Sequence, residues 1–229
     1  MYSLAQAKMS KLQRKELALY FDHTLLRANA RHSEIEKLCG EAIDNSFYSV
    51  CVNPKWIPLC SKLLKNSSAL PITVVGFPLG ADGTLSKAHT ARWAIDQGAQ
   101  EIDMVIDIGA CLDSSWNEVS KDVSELVKIC EKVPLKVILE TSYLNAEQIK
   151  MACKVSEEAG AAFVKTSTGF SDGGATIEAV SLMKQCVDNR LGVKASGGIR
   201  SLEQCLAFID AGATRIGSSS GVKILGELK

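Results

Sequence analysis

Apolar residues along the chain fall into eight short, β-branched runs separated by stretches of helical spacing. The runs are 20–26 (YFDHTLL), 48–53 (YSVCVN), 72–78 (ITVVGFP), 101–107 (EIDMVID), 135–141 (LKVILET), 163–168 (FVKTST), 192–196 (GVKAS) and 215–219 (RIGSS). Between them apolar positions recur every three or four residues, as at Leu85, Ala88, Ala91 and Ile95, and at Ile149, Ala152 and Val155. Asn145 with Gln148, and Ser201 with Gln204, have the spacing of helix-starting capping boxes. Gly98, Gly160 and Gly212 stand where helices should end. Strand and helix alternate without a linker or break in composition, so residues 1–229 are expected to form one domain. Eight such units predict an α/β fold, a (β/α)8 TIM barrel, with a doubly wound open sheet as the alternative. An additional N-terminal helix over roughly residues 3–17 precedes the first strand.

Polar residues interrupt this pattern in a regular phase. Lys165 sits inside FVKTST and Lys194 inside GVKAS. GAQEID, GAAFVK and GATRIG each run from a helix-ending glycine into a strand, and the fifth residue after the glycine is Asp103, Lys165 and Gly217 in turn. Side chains alternate along a strand, so Asp103 and Lys165 are expected on the same side of the sheet. In a barrel, polar residues near the C-terminal ends of strands mark the site.

Totals narrow the setting. Lys+Arg and Asp+Glu are both 26, so no net field draws the chain to nucleic acid or an anionic membrane, and an anion must be held locally. Eight scattered cysteines without a Cys-x-x-Cys suggest reduced thiols, and the first residues lack the apolar core of a secretory signal. A cytoplasmic location is expected. No run approaches the roughly 20 apolar residues of a membrane span. A homodimer is an open expectation for its assembly.

Two candidate chemistries follow. SGGIR (196–200) after the seventh run and GSSSG (217–221) after the eighth supply glycines, hydroxyls and free N–H groups where barrels commonly hold a phosphate. A short extra helix is expected to begin near Ser219. Lys165 and Lys194 would lie on adjacent strands about 4.8 Å apart. Crowding and desolvation should lower the pKa of one of them. An unperturbed lysine is neutral at pH 7 about once in 2,500 molecules, so a fall of roughly three units raises the nucleophilic fraction on the order of a thousandfold. Such an amine forms a Schiff base with a carbonyl compound. Alternatively either ammonium pairs with Asp103 or Glu140 and serves the fold. These residues alone do not say which lysine reacts.

Asp22 and Thr24 could reach the same mouth from the first strand, and Lys136 is either a third inward amine or a solvent-facing strand start. His23, His32 and His89 have no ligand spacing, so no metal is expected; His23 reads as an outward or satisfied core residue. Cys51 borders the site without a base partner and reads as an inert buried thiol.

The motifs DHTLL, CVNP, VVGFPLG, EIDMVI, KVILET, FVKTSTGF, VKASGGIR and RIGSSSG, spread over roughly residues 20–222, resemble the 2-deoxyribose-5-phosphate aldolase family of class I aldolases. The resemblance implies a (β/α)8 barrel with Lys165 as the Schiff-base lysine, Lys194 as the neighbour that lowers its pKa, and Asp103 as the acid/base group. It aligns Asp22 and Lys136 with supporting polar residues, and Gly169, Gly197, Gly198, Gly217, Ser219 and Ser220 with phosphate-binding positions. It implies a phosphosugar substrate and no cofactor, because the imine itself is the electron sink. Two residues depart from the family pattern: Thr90 stands where Glu is common and Asp107 where Asn is common. Altered local pairing is expected there rather than lost activity. The rivals are an aldolase of the same fold for another sugar phosphate, and a silent sugar-phosphate binder.

Overall fold

The computed structural model describes residues 14–228. All eight apolar runs form strands: β1 (Phe21–Leu25), β2 (Ser49–Val52), β3 (Leu70–Val75), β4 (Glu101–Val105), β5 (Leu135–Ile138), β6 (Phe163–Lys165), β7 (Gly192–Ser196) and β8 (Arg215–Ser218). Every neighbour pairs in parallel, and β8 returns to pair with β1, so the sheet closes into a barrel in sequence order. The open-sheet alternative is excluded by that last pairing. No helix among the described residues is long and apolar enough to cross a membrane.

Two sets of buried residues hold the barrel. Outward-facing strand residues such as Phe21, Val50, Ile102, Met104, Val164 and Val193 form one continuous core with the surrounding helices. Inside the barrel the apolar set is small, with Cys51, Ile72 and Val74 packed together under Leu26. Much of the remaining interior is charged, which is unusual for a volume removed from water and demands that every charge find a partner.

Helix punctuation follows the sequence with some corrections. The helix Ala146–Glu158 opens on a full capping box between Asn145 and Gln148. At Ser201 only half of that motif forms: its hydroxyl accepts from Gln204 N, while the Gln204 side chain accepts from Arg200 N instead. Gly98, Gly160 and Gly212 all adopt the positive φ that favours glycine after a helix. In the helix Thr84–Asp96 the buried face carries Lys87, Ala88, Ala91 and Ala94, whereas Leu85 points to solvent. Lys87 belongs inside because its ammonium donates to Asp122 Oδ2 at 2.7 Å and to the Val105 carbonyl at 3.0 Å. Most of the helix expected over residues 3–17 lies outside the described residues; helix Arg14–Ala18 leads into β1. The short last helix spans Gly221–Gly226, beginning two residues later than Ser219.

Candidate active site

Alternation along the strands sends seven ionisable side chains into the barrel. β1 contributes Asp22, β4 contributes Glu101 and Asp103, and β5 to β8 contribute Lys136, Lys165, Lys194 and Arg215; all seven are buried. Asp103 lies at their centre. Its Oδ1 accepts from Lys136 at 2.8 Å, and its Oδ2 accepts from Lys165 at 2.9 Å and Lys194 at 2.7 Å. The shared side of Asp103 and Lys165 is therefore found as the strand phase required. Lys165 and Lys194 are register partners on β6 and β7. Lys136 faces inward, where it also meets Glu101 at 2.5 Å.

The two neighbouring lysines differ in electrostatics. Burial pushes the Lys165 ammonium below its ordinary pKa; Asp103 opposes this and Lys194 reinforces it. Burial acts on Lys194 in the same direction, but Asp103 and Asp22 outweigh it and hold that group above its ordinary value. Asp22 reaches Lys194 at 2.5 Å because barrel closure sets β1 against β8. Desolvation is thus the first cause of the Lys165 shift, with the like-charged neighbour second.

Above the charges lies a cavity of about 310 Å³ at the C-terminal ends of the strands. Among the bases of the interior, Lys165 alone lines it. Thr24, Gly169, Gly197, Gly198, Gly217 and Ser219 border the same cavity. Ser220 stands outside the lining, at the cap of the last helix, and Asp22, Asp103, Lys136 and Lys194 lie beneath it. Gly198 has a φ of 82°, which turns the chain after β7 toward the cavity. Gly217 is needed for another reason: a Cβ there would come within 3.1 Å of Lys194 Cε and 2.9 Å of Ser196 Cβ.

Sequence reasoning missed several residues of this neighbourhood. Arg27 and Arg200 bring positive charge to the cavity rim. Glu101 and Arg215 each lie two positions before an inward residue, Asp103 and Gly217, so strand alternation would have found them. Glu140 does not pair a lysine. It accepts from Thr168 N at 3.2 Å, from the Thr168 hydroxyl in a short contact, and from Ser171 Oγ at 3.1 Å, which ties down the loop carrying Gly169. Cys51 is fully buried, with its thiol pushed up to about 11, mainly by burial. His23 faces away from the cavity and pairs with Glu41 at 2.8 Å.

The profile of the DeoC/LacD family of aldolases matches residues 16–226. The chain belongs to this family. A curated deoxyribose-phosphate aldolase of Carboxydothermus hydrogenoformans is 52% identical over 214 residues, covering 92% of this chain and 94% of the relative. That of Finegoldia magna is 54% identical over 210 residues, covering 92% and 99%. Among solved structures, the tetrameric deoxyribose phosphate aldolase of Aeropyrum pernix superposes with a TM-score of 0.90 at 32% identity, covering 97% of this chain and 95% of that one. The family's aldolase chemistry and the barrel agree with the sequence reading.

The two departures from the family pattern are local. Thr90 lies on the exposed side of its helix and donates to the Ser86 carbonyl at 3.0 Å. Asp107 caps the short helix Ile108–Leu112 by accepting from Ala110 N at 2.9 Å, a role that asparagine fills equally well. Neither residue lines the cavity.

Proposed function

We propose that the chain is a cytoplasmic class I deoxyribose-phosphate aldolase that reversibly cleaves 2-deoxy-D-ribose 5-phosphate to D-glyceraldehyde 3-phosphate and acetaldehyde, in the catabolism of deoxyribonucleosides. The observation that carries the reading is Lys165: of the interior bases it alone reaches the cavity, and burial pushes its ammonium below the ordinary lysine pKa. The names of its curated relatives supply the substrate.

In this reading the Lys165 amine attacks C1 of the open-chain sugar, and loss of water gives a protonated imine. The imine draws electrons from the C2–C3 bond while the C3 hydroxyl gives up its proton. Glyceraldehyde 3-phosphate leaves, and C1 and C2 remain on Lys165 as an enamine. Asp103 moves protons, including the one that reaches C2 to re-form the imine, with Lys194 holding Asp103 in place. Hydrolysis releases acetaldehyde. The phosphate is assigned to the loops bearing Gly169, Gly197, Gly198, Gly217, Ser219 and Ser220, where Arg27 and Arg200 add charge, so remote binding orients the reacting carbons. Thr24, Asp22 and Lys136 act as supporting groups.

Borohydride trapping with acetaldehyde, followed by peptide mass mapping, tests the assignment. A reduced two-carbon adduct on Lys165 is expected. An adduct on Lys194 would reverse the two lysine roles, and none at all from folded protein that binds the sugar phosphate would leave a silent binder. A homodimer is the assembly proposed; a sedimentation mass of one or four chains would overturn it.

A further inference from the structure

The charges inside the barrel form a closed ring. Lys194 meets Asp22 at 2.5 Å, Asp22 meets Arg215 at 2.9 Å, and Arg215 meets Glu101 at 3.5 Å. Glu101 meets Lys136 at 2.5 Å, Lys136 meets Asp103 at 2.8 Å, and Asp103 returns to Lys194 at 2.7 Å. Three acids and three bases alternate, each touching its two neighbours of opposite sign, and Lys136 also lies 4.0 Å from Asp22 across the ring. Lys165 hangs from this ring by one contact, to the Asp103 oxygen that Lys194 already uses.

The count matters because buried charge is tolerated only when compensated. With every group ionised, the interior carries four positive charges against three negative. Arginine keeps its proton in any protein setting, Lys194 holds two carboxylates and Lys136 three. Lys165 is the surplus base. The other groups beside the ring are a neutral thiol, Cys51, the Ser49 hydroxyl, which donates to Asp22 at 2.7 Å, and the apolar Ile72 and Val74; the buried Glu140 just after β5 meets no base and is taken up by Thr168 and Ser171. Around the far side of the ring, Tyr48 donates to Glu101 at 3.1 Å and its ring lies 3.4 Å from the Arg215 guanidinium, with the Phe163 ring at 5.3 Å.

We propose that Glu101 and Arg215, remote from the cavity, are positioning residues whose opposite charges set how much of Lys165 is present as the free amine. Neither lines the cavity or touches Lys165, so their effect travels through the ring. Glu101→Gln leaves two acids against three ring bases, an excess that opposes protonation of Lys165. Arg215→Met leaves three acids against two ring bases, a deficit that Lys165 fills by taking up a proton. The double variant restores equal numbers. Mere damage to packing would slow the reaction in each variant without moving its pH dependence in opposite directions.

This inference rests on Lys165 being the reacting amine. The test measures the pH midpoint of acetaldehyde trapping by cyanoborohydride, with the adduct mapped to Lys165 in the wild type. Acetaldehyde carries no ionisable group, so the midpoint reports the protein. Glu101→Gln is expected to lower the midpoint, and Arg215→Met to raise it, each by about one pH unit. The double variant should return near the wild-type value, and Arg215→Lys, which keeps the charge, should not shift. Trapping on Lys165 with both charge variants unmoved, or moved in the same direction, would overturn the inference alone. Wild-type trapping at another residue would overturn the Lys165 reading as well. If either single variant fails to fold, the charge-neutral double and Arg215→Lys still decide: a displaced midpoint in both would refute the charge count.

Discussion

Lys165→Met is expected to lower aldol cleavage by about 10⁴-fold or more while leaving the barrel folded. No other interior base reaches the cavity to take over the attack on C1. The thermal consequence is the opposite of an ordinary core lesion. Methionine keeps most of the lysine stem's volume and removes the surplus charge, leaving Asp22, Glu101 and Asp103 against Lys136, Lys194 and Arg215. The melting temperature is therefore expected to equal or exceed that of the wild type. Steady-state rates and a thermal melt on the same preparation check both halves. A variant with appreciable turnover would remove Lys165 from the chemistry, and one that melted far below wild type would deny that its charge is surplus.

Asp103→Asn should be the costliest single change to the interior. It takes away the carboxylate that three ammonium groups share and opens the ring, leaving two acids against four bases. Removing one partner of a buried ion pair commonly costs roughly 3–5 kcal/mol, and a loss of that order is expected at neutral pH. Cleavage should fall by about 10³-fold as well, because the group that moves protons is gone. Acidification distinguishes this variant further. Burial raises the Asp103 carboxyl, but Lys136, Lys165 and Lys194 outweigh it and hold it well below the ordinary 3.8. The unfolded chain takes up that proton near 3.8 while the folded chain still refuses it, so wild-type stability is fully present above this pH and is lost as the pH falls further. Asparagine abolishes that titration. Urea midpoints should accordingly start lower than wild type at about pH 7 and decline less between about pH 5 and pH 3. An unchanged midpoint at neutral pH would show that Asp103 does not hold the ring.

The barrel was legible because buried parallel strands write themselves as short β-branched runs, here entered through repeated glycine–alanine turns. The same period of two placed Asp103 beside Lys165. The difference between Lys165 and Lys194 was not legible from local pattern, since both occupy matching places on their strands. It depends on Asp22, which comes from the far end of the chain and meets Lys194 only when β1 closes against β8. Glu101 and Arg215 escaped notice because a charge at the first position of a strand usually reaches water; here both are covered, and the Tyr48 ring lies over the guanidinium. Ser219 and Ser220 are adjacent and chemically alike, and only the turn into the last helix puts one at the cavity and the other at its cap.

The ring has a direction along the chain that bears on how the protein is made. Its acids all come from β1 and β4, and the bases, Lys165 included, all come from β5 to β8. The first four strands leave the ribosome carrying three carboxylates and no inward base to meet them. A compact half-barrel formed then would trap like charges in a dry interior, so early closure is disfavoured until the second half emerges with its matching set. Neither half is a good stopping point, and two half-barrels of one kind make a poor pair. The bases that neutralise the first half of the barrel are thus all supplied by its second half.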